Sequence, residues 1–125
     1  LNVRSSTVFL DACFAGQDRK YELVVAGLRP ILLEVDVSYK WNVTVFSAST
    51  SKQVSGSFPN KKHGLFTYFL LKGLRPENWK NNTSLSYNEL YQFIQSNVER
   101  EAGNLDRNQN PTITTIDGDK ILVKR

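Results

Sequence analysis

The order of elements in this chain predicts an α/β layered fold, and three observations carry that expectation. Two short runs, Thr7-Val8-Phe9-Leu10 and Val43-Thr44-Val45-Phe46, are almost wholly apolar and β-branched. Two helical segments follow the second run. A β-branched tail at 112–123 closes the chain. The length of 125 residues, with 40% hydrophobic and 22% charged residues, suits one modest domain or part of a larger one.

The first run reads as a strand buried on both faces, as in a parallel sheet. It stops at Asp11-Ala12-Cys13-Phe14-Ala15-Gly16, where small residues let the chain turn sharply. Loops at the carboxyl ends of parallel strands are where α/β folds place their chemistry. Residues 17–41 hold two apolar triplets, Leu23-Val24-Val25 and Ile31-Leu32-Leu33, split by Gly27 and Pro30. They are compatible with short strands, a broken helix, or a processed or flexible linker. The second run leads into Ser47-Ala48-Ser49-Thr50-Ser51 and a polar loop containing Gly56 and Pro59.

Between Gly64 and Leu74, Phe66, Phe69, Leu70 and Leu74 fall at helical spacing. Leu65, Tyr68 and Leu71 cover a flank, so this helix should be largely buried. Ser86 and Glu89 fit a capping box, with Leu85 and Leu90 at the positions of a hydrophobic staple. Leu90, Phe93, Ile94 and Val98 then form one face, and Gly103 is the expected stop. A polar loop over 104–110, a strand at 112–116, a turn at Asp117-Gly118 and a strand at 121–123 complete the chain.

A net charge of +4 is spread over scattered Lys and Arg, which argues for a solvated surface and against a nucleic-acid footprint. No apolar run approaches the ~20 residues needed to span a membrane. One cysteine can form neither an internal disulfide nor a multi-cysteine zinc cluster. The expected compartment is the cytoplasm, with no cofactor and no metal.

Cys13 follows directly on a buried strand, a position that suits a nucleophile. Taken alone, the position favours a small buried apolar residue over a nucleophile. The surrounding residues decide between these readings. Val8-Phe9-Leu10-Asp11-Ala12-Cys13-Phe14-Ala15-Gly16 resembles the nucleophile segment of the caspase-like peptidases. Caspases read Gln-Ala-Cys, one residue, then Gly. Here Asp11 stands in the Gln position and two residues precede Gly16, which looks more like metacaspases and bacterial caspase-like peptidases. The segments Val45–Ser49, Gln53–Ser55 and His63–Leu74 are similar to the small-subunit half of the same group.

The resemblance implies a mostly parallel sheet flanked by helices, present only in part. This chain would be the C-terminal part of one catalytic domain, with 43–123 as its small-subunit-like region. It implies a cysteine endopeptidase in which Cys13 forms the thioester and its N–H is one arm of the oxyanion hole. Asp11 would line the pocket for a Lys or Arg side chain, and Ser47, Ala48 and Ser49 would form the opposite wall. The family places its histidine base about 50 residues upstream of the cysteine. Only 12 residues precede Cys13, so a companion segment is expected to supply that histidine. A start at Leu1 would follow from proteolytic maturation or from a fragment boundary. His63, 50 residues after Cys13, stands where the family puts no catalytic residue. It is read as a helix-entry or bracing residue, with a Cys13–His63 dyad as the alternative. Some metacaspases bind calcium through clustered carboxylates, but no acidic cluster follows Asp18. A non-catalytic caspase-like interaction module is the alternative to the peptidase.

Overall fold

The computed structural model describes residues 4–11, 42–50 and 64–125. The residues around Cys13, the 17–41 stretch and residues 51–63, His63 among them, lie outside the described residues.

Strand β1 (Ser6–Leu10) pairs in parallel with β2 (Val43–Ser47), in a register running from Ser6↔Val43 to Leu10↔Ser47. The Ser6 N–H donates to the Asn42 carbonyl at 2.9 Å at one end of the ladder. The Ala48 N–H donates to the Leu10 carbonyl at 2.8 Å at the other. On its far side β2 pairs antiparallel with β4 (Thr112–Thr114), with Phe46 opposite Ile113. The described sheet therefore has the order β1-β2-β4, with one parallel and one antiparallel pairing.

As the middle strand, β2 alternates half-buried and buried side chains. Its buried Thr44 shares a 2.9 Å hydrogen bond with the Thr115 hydroxyl, so a polar group is carried inward without loss. Phe46 is fully buried and meets the rings of Phe9 at 5.1 Å and Tyr87 at 6.1 Å between centroids. β1 departs from the expectation of burial on both faces. Val8 and Phe9 each keep 37% of their surface, because β1 has a strand neighbour on one side only among the described residues.

Helix α1 (Leu65–Gly73) buries Leu65, Phe66, Phe69, Leu70 and Gly73, while Leu71 is exposed. Its apolar circumference is thus covered on the inner face only. A single 3-10 turn, Pro76–Asn78, follows, and Trp79 folds back to donate its indole N–H to the Gly73 carbonyl at 3.2 Å. Helix α2 (Tyr87–Asn104) starts with the expected capping box. Glu89 N–H donates to Ser86 Oγ at 3.2 Å, and Ser86 N–H donates to the Glu89 carboxylate at 3.0 Å. Leu85 and Leu90 both lie in the core beside Ile94 and Val98. Gly73 lets the two helices close on each other, since a Cβ there would stand 2.8 Å from Leu90 and 2.9 Å from Phe93.

The end of α2 differs from the sequence reading. Gly103 stays within the helix, which runs on to Asn104. The stop comes at Asp106, in the left-handed conformation with φ of 53°. The Arg107 N–H then donates back to the Ala102 carbonyl at 2.9 Å. Aspartate reaches this conformation at modest cost, so it does the work expected of the glycine. A second small sheet pairs the strand expected at 121–123 with one the sequence reading does not foresee. β3 (Ser84–Ser86) pairs antiparallel with β5 (Ile121–Lys124) and draws the tail across the start of α2.

Two stability predictions follow from this packing. Ile94→Ala should cost about 2–5 kcal/mol by leaving a cavity in the core. Ser86→Ala should cost about 1 kcal/mol through the lost cap. Chemical denaturation of the two variants checks both values and their order.

Burial, and secondarily the negative charge of Glu99, push the Tyr91 phenol above the ordinary tyrosine range. Its hydroxyl donates to the Pro111 carbonyl at 3.3 Å. Folding therefore favours the neutral phenol. That contribution is complete below the ordinary range and is lost as pH rises through the raised value. Tyr91→Phe should flatten the alkaline fall of Tm, as followed by thermal melts across pH.

Candidate active site

Because β1 and β2 run parallel, both chains leave the sheet at the same edge. Leu10 and Ser47 are the last paired residues, and the Ala48 N–H bond to Leu10 carries the ladder one step further. Asp11 and Ser47-Ala48-Ser49, four residues singled out in the sequence, therefore meet at one place. Cys13 follows Asp11 by two residues in sequence and lies outside the described residues.

Asp11 is half-buried, and its Oδ2 accepts a hydrogen bond from the Thr67 hydroxyl. Thr67 lies in the first turn of α1, whose N-terminal cap is Gly64 in extended conformation. The cap makes no side-chain hydrogen bond, and the first turn holds no acidic residue of its own. The Asp11 carboxylate from the strand end therefore stands beside that first turn.

Ser47 is half-buried and donates its hydroxyl to the Ser49 carbonyl at 3.0 Å, closing a tight bend. Ala48 is fully buried. Its N–H is engaged by Leu10 and its carbonyl by Gln109, whose side-chain amide donates at 2.9 Å. Ser49 is also buried. Of these three residues, Ser47 keeps surface, while Ala48 and Ser49 are buried.

Sequence reasoning missed Thr67 and Gln109. Thr67 is 56 residues from Asp11, and its only sequence signal was a place in the first turn of an expected helix. Gln109 falls in a stretch read as polar loop, yet it is 1% exposed and spans 61 residues to reach Ala48. Among the described residues, no group of three or more His, Cys, Asp or Glu could hold a metal ion.

Comparison with protein families adds the deciding observation. Residues 1–121 match the caspase domain model of the C14 peptidases. The chain belongs to the caspase domain family. Comparison with curated proteins and with solved structures finds no match. Membership makes the chain a cysteine-peptidase, or hydrolase, kind of protein, and its mixed α/β architecture is compatible with a caspase-like fold. Among the described residues of this caspase domain, no helix is long and apolar enough to cross a membrane.

The buried prop beneath the edge is testable. Gln109→Leu removes the donor to Ala48 and leaves that carbonyl unpaired in the interior. The expected cost is about 1–3 kcal/mol. Replacing its exposed neighbour, Asn108→Ala, should stay within about 0.5 kcal/mol. Equilibrium denaturation of both variants makes the comparison.

Proposed function

We propose that this caspase domain chain carries the nucleophile and the specificity carboxylate of a cysteine endopeptidase that cuts after Lys or Arg. The observation that carries the reading is the Asp11 carboxylate. It stands at the common edge of two parallel strands, two residues before the only cysteine.

In this reading the Cys13 thiolate attacks the substrate's carbonyl carbon. The amide nitrogen leaves as an amine after taking a proton from the imidazolium, and water then hydrolyses the thioester. The Cys13 N–H stabilises the oxyanion that forms on the way. Asp11 selects the side chain beside the attacked carbonyl. A guanidinium about 4 Å from a carboxylate near the surface gains about 4 kcal/mol of Coulomb attraction before desolvation, and a substrate carboxylate is repelled on the same scale. Ser47 lines the other side of the entrance, with Ala48 and Ser49 setting its shape.

The histidine base comes, in this proposal, from a companion segment lying against β1. The exposed Val8 and Phe9, together with the single strand neighbour of β1 among the described residues, support such a place for it. Burying them there would remove apolar surface from water.

The test uses this chain together with the companion segment. Wild type should cleave arginyl and lysyl peptides and leave aspartyl peptides intact. Cys13→Ala should lose at least a thousandfold in turnover, with a Tm within a few degrees of wild type. If no peptide is cleaved and a thiol-directed arginyl inhibitor leaves Cys13 unlabelled, the chain is a non-catalytic interaction module instead.

A further inference from the structure

We infer that Thr67 is a positioning residue for substrate selection, acting by fixing the orientation of the Asp11 carboxylate. The inference rests on the reading of Asp11 as the specificity carboxylate. It adds a group from a different element, 56 residues away, on which that specificity depends.

An aspartate at a strand end has a broad, nearly two-fold χ2 preference, so its carboxylate plane is not set by its own rotamer. The Thr67 hydroxyl donates to Oδ2 and fixes that plane. Thr67 is itself held in place. It sits between Phe66 and Phe69, both buried in the core, on a helix that also buries Leu65 and Leu70. Threonine on a helix divides between two χ1 rotamers, and the bond to Asp11 selects one of them. The donor is also neutral. It orients the carboxylate without adding a positive charge at that contact, whereas a lysine or arginine there would compete with a basic substrate for the same carboxylate.

Thr67 reaches Asp11 only when α1 is docked with its first turn against the strand end. The selecting group is thereby tied to α1 as well as to the sheet. A merely structural tie would show up in stability. A positioning role shows up in the choice between charged and neutral substrates.

The experiment compares an arginyl peptide with its citrullyl counterpart, which has nearly the same shape and no charge. It uses the chain together with the companion segment. Where turnover is too slow to follow, the rates of Cys13 alkylation by arginyl and citrullyl chloromethyl ketones read the same preference. Thr67→Val keeps the shape and removes the donor. It should narrow the arginyl preference about tenfold, through KM, and Thr67→Ser should restore it. Asp11→Asn should abolish the preference. If Thr67→Val leaves the preference intact, lowers both substrates alike, or is not rescued by serine, while Asp11→Asn abolishes it, the positioning role is overturned and the Asp11 reading stands. If Asp11→Asn itself keeps the preference, the Asp11 reading falls, and this inference falls with it.

Discussion

The parallel ladder between β1 and β2 is the constraint on which the rest of this molecule depends. Side-chain direction in a strand repeats every second residue, so a slip of one position would turn every side chain to the opposite face. In the observed register Leu10 lies opposite Ser47, and the Ala48 amide closes on Leu10. That last bond brings Asp11 to the serine-rich bend.

Two hydrogen bonds from other elements brace the ladder's end. Thr67 ties Asp11 to the first turn of α1, and Gln109 supports the Ala48 carbonyl from the segment that leads into β4. Both rest on the same apolar interior. Phe46 of β2 is buried in one cluster with Phe66, Phe69, Leu90 and Ile94. At the sheet's other end, the Tyr87 hydroxyl shares a 2.8 Å hydrogen bond with Thr7 and so joins the first turn of α2 to β1. The helices thus serve the strand edge as well as covering the sheet, and core packing and edge geometry are one problem.

How much of this could be read from the sequence depended on how local each cause was. The capping box at Ser86 and Glu89 is complete within four residues, so it was legible, and it formed as expected. The strands at 6–10 and 43–47 announced themselves by their β-branched runs. The stop of α2 was misplaced because glycine is the usual helix terminator, while here the next turn uses Asp106 in its stead. The β3–β5 pairing, the burial of Gln109 and the contact from Thr67 to Asp11 are all non-local. No periodicity within a short window encodes them. The choice of Asp11, Ser47, Ala48 and Ser49 as neighbours came from a family resemblance. The register supplied the physical reason for their proximity, and the caspase domain match places the chain in that family.

The β1–β2 ladder persists to its last bond and holds the candidate edge as part of the folded core. Native-state hydrogen exchange of the Ala48 amide tests this most directly. Ala48 should exchange only through the large openings that also release the buried amides of β2. Exchange of Ala48 at the rate of a solvent-exposed loop amide, with the rest of β2 still protected, would contradict it.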